Sequence, residues 1–269
     1  INQIKNNNET LCKLINENFM NNEIKNIDNI LKLSNDQTNI TGLILHEKYL
    51  SNFSIKFYQV LMNLNKLINE NAGTAFIYFN LVQIGIDLFK EVLLINGYLE
   101  YREDGLYNIN NNTRDAITGI TYENYKGNSF NPCTFYIMKG TTDDDNENLP
   151  EIKKNILDNV FSNPNNRYGK YIKFLLGSRV MNEGITLENV KDVHILDVHY
   201  NLGKLLQAIG RVVRECKHYK ITDDNNKYPK VNIYKYVVAL YNNKLSNDEE
   251  RYKKAELKFI LVKDIERML

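Results

Sequence analysis

The sequence predicts an α/β fold, with a parallel β-sheet that has helices on both faces. Three observations support this prediction. Short apolar segments of strand length recur along the chain, segments with apolar residues at helical spacing separate them, and Gly or Asn clusters close most of these elements. Strands that alternate with helices in this way are typical of parallel sheets joined by right-handed crossovers.

We expect strands and helices to follow one another from about residue 53 onward. Apolar runs rich in aromatic and β-branched residues predict strands at 75–79, 133–138, 171–176, 193–196 and 231–240. Apolar residues at helical spacing and turn signals predict helices at 53–70, 81–96, 150–161, 204–216 and 247–269.

The chain divides into a central domain with an extension at each end. We expect a helical extension or linker at 1–50, the α/β domain at 51–245, and a helical extension at 246–269. The polar stretch at about 101–131 is too long for a tight connector, so it is either a partner site or a disordered insertion. The first residue is not Met and the last predicted helix is cut short, so we expect a piece of a longer protein.

Composition argues against several classes of protein. The formal net charge is +1, so no global field indicates a polyanion partner. Three widely spaced cysteines, Cys12, Cys133 and Cys216, lack metal-ligand spacing and are expected as reduced thiols. His194 and His199 are also poorly spaced for a shared metal, so we expect no metal site. No apolar run reaches the ~18 residues of a membrane span, and we expect an intracellular protein.

The strongest functional signal lies on the helix predicted at 204–216. Gln207, Arg211 and Arg214 stand at i, i+4 and i+7, which places them on one helical face, and Gly210 permits a close backbone approach. Two guanidinium groups on one face suit the oxygen atoms of a phosphate. The alternative is a solvated basic face, for which lysine would serve equally well.

The second signal directly follows the strand predicted at 171–176. Gly177 and Ser178 at the carboxyl end of a strand expose peptide N–H groups and a hydroxyl, as phosphate binding in open α/β sheets requires. Gly184 permits another close backbone approach. Taken alone, this segment could be any turn from a strand to a helix.

Together the two segments resemble motifs V and VI of superfamily 2 helicases. Ser178, Glu183 and Gly184 match motif V, whereas motif VI is matched by Gln207, Gly210, Arg211 and Arg214. The strand end at 76–80 resembles motif IV, and the resemblance covers roughly residues 50–240. The form is most similar to helicase-like proteins of large DNA viruses, of the poxvirus nucleoside triphosphate phosphohydrolase I and early transcription factor small subunit type, with their mimivirus-like relatives.

The resemblance implies a RecA-like domain, of P-loop NTPase type, that is the second of two in a helicase. ATP then lies between the two domains, where Arg214 acts as an arginine finger, with Arg211 beside it and Gln207 near the phosphates or the attacking water. The resemblance also implies nucleotide contacts at Glu183, Gly184, Thr186 and Gly210. Thr186 departs from the family pattern, because many relatives carry Asp or Asn at that position.

The resemblance implies contacts to a nucleic-acid backbone from several turns at the ends of strands. These residues are Asn80, Lys139, Gly140, Thr141, Gly177, Ser178 and Arg179. Contact with the backbone rather than the bases suits a motor that steps along any sequence. DNA and RNA, single-stranded or duplex, both remain open as substrates.

The sequence lacks the phosphate-binding loop Gly-x-x-x-x-Gly-Lys-[Ser/Thr] and an acidic magnesium box. The acidic run at 143–145 lies among polar residues and is expected to be solvated. We therefore expect ATP and Mg²⁺ to be bound mainly by an upstream RecA-like domain, and this piece alone to be inactive. Viral transcription, with RNA polymerase or transcription factors as partners in the virion or host cytoplasm, is the expected setting. The alternatives are a RecA-like binding module that does not hydrolyse ATP, and docking surfaces at 1–50 and 101–131.

Overall fold

The computed structural model describes residues 2–35, 37–139, 150–178, 187–198, 201–213, 230–241 and 244–268. Its strands are β1 (Lys32–Leu33), β2 (Ile40–Thr41), β3 (Thr74–Tyr78), β4 (Leu99–Glu100), β5 (Thr134–Met138), β6 (Phe174–Gly177), β7 (Val190–Ile195) and β8 (Asn232–Lys235). Its α-helices are α1 (Asn2–Phe19), α2 (Glu47–Phe53), α3 (Ile55–Asn69), α4 (Leu88–Ile95), α5 (Glu151–Ile156), α6 (Leu202–Val212) and α7 (Asn247–Met268).

Six of the strands form one parallel sheet in the order β4-β5-β6-β3-β7-β8. The first strand of this sheet, β3, lies in its middle, and the chain then reaches the β4 edge before it returns through β5 and β6. The remaining strands, β7 and β8, extend the sheet on the other side of β3. The predicted parallel α/β fold is therefore confirmed. The small antiparallel hairpin of β1 and β2 stands apart from this sheet and was not predicted.

The sheet has one apolar core on each face, because alternate residues of its strands point to opposite sides. In β3, Ala75 and Ile77 join the core that contains buried residues of α3 and α4. Phe76 and Tyr78 join the core that contains buried residues of α5 and α6. Burial on both faces explains why the β3 segment is continuously apolar.

Helix boundaries differ from the sequence prediction at three places. The helix expected at 53–70 is α3, and a separate helix, α2, ends at Phe53; Ser54 lies between them and begins α3 by accepting a hydrogen bond from the Phe57 N–H at 3.4 Å. A π-helical segment at Val82–Asp87 leads into α4, and another at Leu157–Phe161 follows α5. These segments account for the helices expected at 81–96 and 150–161.

β6 begins at Phe174 and not at residue 171, because a turn uses the preceding backbone groups. The buried side chain of Asn166 accepts hydrogen bonds from the N–H groups of Tyr171 and Ile172, at 2.8 and 3.0 Å. The same side chain donates to the carbonyl oxygens of Phe161 and Ile172. These peptide groups are therefore unavailable to the β-ladder, and the strand starts after them.

The stretch at 101–131 is described throughout as a loop folded around one carboxylate. Asp115 is 1% exposed, and its Oδ1 accepts hydrogen bonds from the N–H groups of Ile117 and Thr118 at 3.1 and 2.8 Å. Its Oδ2 accepts from the Asn131 N–H at 2.8 Å, which closes the far end of the loop. The structure thus shows an ordered surface loop here and not a disordered insertion, and a partner site on this loop stays a prediction.

The first turn of α7 is fixed to the main domain through Lys56 of α3. The Lys56 Nζ lies 2.5 Å from the Asp248 Oδ2 and 3.1 Å from the carbonyl oxygen of Leu196, which directly follows β7. Asp248 also accepts a hydrogen bond from the Val238 N–H. None of the helices in the described ranges combines the length and apolar character needed to cross a membrane.

Candidate functional site at the carboxyl edge of the sheet

The four middle strands end together at one edge of the sheet. Their last residues are in register, because Met138 pairs with Gly177, Gly177 with Tyr78, and Tyr78 with Ile195. Adjacent strands are ~4.8 Å apart, so the turns that follow form a compact row. In spatial order, the turns begin at Lys139, Ser178, Phe79 and Leu196. We call this row the carboxyl edge.

Asn80, a predicted nucleic-acid contact, lies in the turn after β3 and is held by the turn after β7. The backbone N–H of Asn80 donates to Asp197 Oδ2 at 2.7 Å, and the N–H of Leu81 donates to the same oxygen at 3.3 Å. The side chain of Asn80 is half-buried. One carboxylate therefore sets the position of the turn that carries Asn80.

Lys139, the second described nucleic-acid candidate, forms an ion pair within the carboxyl edge. Its Nζ lies 2.6 Å from the Oδ1 of Asp87, which ends the π-helical segment before α4. The Lys139 carbonyl oxygen accepts a hydrogen bond from the Nζ of Lys153 at 2.7 Å. The predicted phosphate contact would therefore compete with the Asp87 carboxylate for the same ammonium group.

Gly177 and Ser178 lie at the centre of the carboxyl edge, in and just after β6. Gly177 pairs with strands on both sides, and Ser178 is 3% exposed. The Ser178 N–H donates to the Met138 carbonyl oxygen at 3.3 Å, which extends the ladder by one residue. Neither residue lies on the open surface, whereas exposed N–H groups and an exposed hydroxyl were expected here.

Helix α6 packs one face on the sheet and leaves another face uncovered by the described residues. Leu205 and Val212 are buried in the core beneath it. On the uncovered face, Gln207 is exposed beside Leu206 and Val213, which are 49% and 47% exposed. The structure thus places Gln207 on a partly apolar outer surface rather than in the core.

Gly210 lies in α6, three residues after Gln207. The position that a Cβ atom would occupy at Gly210 has no atom within 4 Å. Among the described residues, none makes the close backbone approach that was expected at Gly210.

Several other predicted site residues lie outside the described part of the chain or have no described side chain. Those outside the described residues are Gly140, Thr141, Arg179, Glu183, Gly184, Thr186 and Arg214. The backbone of Arg211 lies in α6, but its side chain is not described. The structure therefore brings together Asn80, Lys139, Gly177 and Ser178 but does not test the arginine pair.

A buried polar network connects β7, β8 and α3 within the sheet core. His194 Nδ1 lies 2.7 Å from the Tyr236 hydroxyl oxygen, which accepts a hydrogen bond from Asn63 Nδ2 at 2.7 Å. His194 is stacked on the Tyr234 ring, with 4.9 Å between centroids. Burial lowers the pKa of His194 to about 3, so the ring is neutral at physiological pH. The described residues contain no cluster of three or more metal-ligating side chains.

Sequence reasoning missed the two carboxylates that organise the carboxyl edge. Asp197 lies in the turn after β7, just as Lys139 lies in the turn after β5, and this shared position was an available signal. Asp87 had no comparable signal, because it lies within a helical segment. Both partners are distant in sequence, at Asn80 and Lys139, so the pairing depends on the strand order.

Comparison with known proteins identifies the class of domain to which this edge belongs. Residues 150–216 match the family described as Helicase conserved C-terminal domain. This span contains β6, β7 and α6, which form much of the carboxyl edge and the uncovered helix. This span of the chain is therefore similar to a helicase C-terminal domain, as found in superfamily 2 helicases of large DNA viruses. The predicted RecA-like fold and the predicted resemblance are thereby confirmed.

Proteins similar to this chain occur in large DNA viruses. A protein of Acanthamoeba polyphaga mimivirus, named as a candidate ATP-dependent RNA helicase, is 48% identical over the whole chain. A second mimivirus protein with the same description is 29% identical over 73% of the chain. The early transcription factor 70 kDa subunit of Melanoplus sanguinipes entomopoxvirus is 29% identical over 71% of the chain. The chain covers 24%, 28% and 27% of these proteins, or about a quarter of each.

Proposed function

We propose that this chain is the second RecA-like domain of an ATP-dependent nucleic-acid helicase or translocase that acts in viral transcription. The observation that carries this proposal is the arrangement of the carboxyl edge beside α6. Polar turns of four neighbouring strands form one row, and the helix that follows β7 exposes Gln207 on a partly apolar face. The relatives named as ATP-dependent RNA helicases support it.

The uncovered face of α6 is the proposed ATP-facing surface. At helical spacing, Arg211 and Arg214 follow Gln207 along this face, and Leu206 and Val213 give it an apolar component. A first RecA-like domain packed here would exclude water, and low polarity strengthens the attraction between a guanidinium and phosphate oxygens. We assign the arginine finger to Arg214 and orientation of the phosphates or the attacking water to Gln207.

ATP and Mg²⁺ would be bound mainly by the first RecA-like domain, because this chain has no phosphate-binding loop. Magnesium would neutralise charge on the phosphate oxygens there. This chain would supply the arginine finger, which is worth about 10³–10⁵ in rate in phosphoryl transfer. Contacts of Glu183, Gly184, Thr186 and Gly210 with the nucleotide are part of the same proposal.

The carboxyl edge is the proposed nucleic-acid surface. Asn80 and Lys139 begin turns at this edge, and Gly140, Thr141, Gly177, Ser178 and Arg179 complete the proposed set. Amide, hydroxyl and ammonium groups bind phosphate and sugar oxygens without reading the bases. Since Ser178 is buried in this structure, its contact requires the surrounding turns to shift when nucleic acid binds.

RNA is the substrate that the names of the mimivirus relatives suggest, whereas the poxvirus relative is named as a transcription factor. RNA polymerase and transcription factors are the proposed protein partners. The ordered loop at 101–131 is a candidate surface for them, because it exposes apolar side chains such as Leu106 and Ile120.

A second candidate function is a RecA-like binding module that holds nucleic acid or polymerase without hydrolysing ATP. The absence of a phosphate-binding loop from this sequence is the observation that favours it. The two functions differ in one measurable property. A motor couples ATP turnover to nucleic acid, whereas a binding module binds nucleic acid with no turnover.

The test is ATP turnover of the complete protein that contains this chain, with no nucleic acid, with single-stranded RNA, and with single-stranded DNA of the same length and sequence. We expect turnover to rise when the correct nucleic acid is added, and the comparison of the two polymers identifies it. Salt-sensitive binding of either polymer without turnover would contradict the motor and support the binding module.

A further inference from the structure

The turn that carries Asn80 is followed by a helical segment that lacks a cap of its own. The π-helical segment begins at Val82, and the residue before it, Leu81, offers no side-chain hydrogen bond to the first N–H groups. The first N–H groups of a helix have no partner within the helix, and they attract negative charge. The two N–H groups just ahead of the segment, those of Asn80 and Leu81, are bound from elsewhere in the fold.

Asp197, in the turn after the neighbouring strand β7, binds the two N–H groups just before this segment. Its Oδ2 accepts hydrogen bonds from the N–H groups of Asn80 at 2.7 Å and of Leu81 at 3.3 Å. The two segments are more than a hundred residues apart in the chain and meet only because β3 and β7 are neighbours. A charged acceptor makes stronger hydrogen bonds than a neutral one, so this contact is well suited to hold the turn in place.

The residue before Asp197 is itself fixed. Leu196 donates its N–H to the Tyr78 carbonyl oxygen at 3.2 Å and accepts from Lys56 Nζ at 3.1 Å. Asp197 therefore holds the Asn80 turn from a position next to an anchored residue. In the sequence, Asp197 lies shortly before α6, the helix that carries Gln207.

We propose that Asp197 is a positioning residue, whose carboxylate fixes the Asn80 turn for nucleic-acid binding. This inference rests on the proposed function, because it assigns the carboxyl edge to nucleic acid. Asp197 acts through the peptide groups of Asn80 and Leu81. Its loss leaves the proposed contact residues in the sequence but removes the acceptor that aligns their backbone.

The test uses the complete protein with Asp197→Ala and Asp197→Asn. The nucleic-acid concentration that half-maximally stimulates ATP turnover is measured, together with the turnover at saturation. We expect this concentration to rise about ten-fold in Asp197→Ala, with a smaller change in saturated turnover. Asp197→Asn keeps an oxygen acceptor without the charge, so we expect about a three-fold rise. If Asp197→Ala does not fold, the positioning role is judged from Asp197→Asn alone, by the ratio of its half-maximal nucleic-acid concentration to that of the wild type.

Asp192→Asn is the matched control, because Asp192 lies in β7, the strand that precedes Asp197, but away from the carboxyl edge. Its Oδ1 accepts a hydrogen bond from Asn232 Nδ2 at 2.8 Å, and the side chain is buried. A general loss of stability would also appear in this control. If Asp197 acts by positioning the Asn80 turn, the nucleic-acid concentration for half-maximal stimulation of Asp192→Asn should equal that of the wild type.

The outcomes separate this inference from the proposed function. If nucleic acid stimulates the wild type and the Asp197 variants have the same half-maximal concentration, the positioning role is overturned and the proposed function is not. An equal rise in Asp192→Asn and Asp197→Asn also overturns it, because the effect would then be one of general stability. A wild-type protein that neither binds nucleic acid nor responds to it overturns the proposed function, and this inference with it.

Discussion

Lys139 and Asp87 form an ion pair across the carboxyl edge, with 2.6 Å between Nζ and Oδ1. Lys139 directly follows β5, and Asp87 ends the helical segment that follows the Asn80 turn. The pair therefore joins two of the turns that we assign to nucleic acid. It also means that a phosphate group must compete with a carboxylate for the Lys139 ammonium.

Replacing Asp87 with Asn should strengthen nucleic-acid binding by the complete protein. The substitution removes the competing negative charge and leaves Lys139 available to a phosphate. We expect affinity to rise a few-fold, and the slope of log K against log salt to steepen by about 0.7–0.9, which is one more phosphate contact. Binding measured over a salt series provides both values.

Two further variants control this prediction. Lys139→Ala should weaken binding and make the salt slope shallower. When Asp87→Asn is combined with Lys139→Ala, the affinity for nucleic acid should be no higher than that of Lys139→Ala alone, because the Lys139 ammonium is absent. A gain that persists without Lys139 would show that Asp87 acts through general repulsion, and unchanged binding in both single variants would remove Lys139 from the interface.

Replacing Tyr236 with Phe should destabilise the domain by about 1–3 kcal/mol. The Tyr236 hydroxyl lies between His194 Nδ1 and Asn63 Nδ2, at 2.7 Å from each. Without it, the buried His194 ring loses its only hydrogen bond among those described. Urea unfolding measures the change, and Tyr241→Phe, at a side chain that is 94% exposed, should stay within about 0.5 kcal/mol. Equal effects of the two substitutions would contradict the network.

His194 should make the folded state less stable as the pH falls below its ordinary pKa of 6.5. Burial lowers the folded-state pKa of His194 to about 3, so the unfolded chain takes up a proton in this window and the folded chain does not. The free energy of unfolding therefore falls with falling pH, by up to about 1.4 kcal/mol per pH unit, until the pH approaches 3. Above pH 6.5, both states are neutral and this contribution no longer changes.

The pH prediction is checked by unfolding the wild type and His194→Asn between pH 7 and pH 4. Carboxylates titrate in both proteins, so the difference between the two slopes isolates the histidine. The free energy of unfolding should fall more steeply with falling pH in the wild type than in His194→Asn. The difference between the two slopes should correspond to the uptake of up to one proton on unfolding. Identical slopes would show that His194 titrates normally in the folded protein.

The 269-residue chain by itself should not hydrolyse ATP. It supplies the proposed arginine finger but has no phosphate-binding loop, so the nucleotide would lack its main binding site. Phosphate release from the purified chain should equal that of a buffer blank, with or without RNA. Turnover that remains through purification would contradict the half-site account.

The sequence was a good guide to elements whose burial is local. The β3 segment is apolar throughout because both of its faces are buried, and Phe76 and Ile77 reveal this in the sequence. The start of β6 was misjudged because Asn166 uses the preceding peptide groups in a turn. Whether a side chain or a neighbouring strand binds a given peptide group depends on the folded geometry. A run of apolar residues in the sequence does not indicate which of the two binds it.

The site was predicted only in part, for a related reason. The resemblance to helicases suggested Asn80, Lys139 and Ser178, and they lie near one another because the ends of neighbouring strands meet in a parallel sheet. The strand order β6-β3-β7 was not predictable from local pattern, so the contact of Asp197 with Asn80 was missed. The assignment of Arg211 and Arg214 to the ATP-facing surface stays a prediction.

The most direct test of the central claim is nucleic-acid-stimulated ATP turnover by the complete protein with Arg214→Ala. Arg102→Ala is the matched control, because Arg102 is an exposed arginine in the loop at 101–131, paired with Asp104. We expect Arg214→Ala to lower stimulated turnover by about 10³-fold or more and Arg102→Ala to leave it unchanged. Turnover in Arg214→Ala equal to that of the wild type would contradict the assignment of this domain as the donor of the arginine finger.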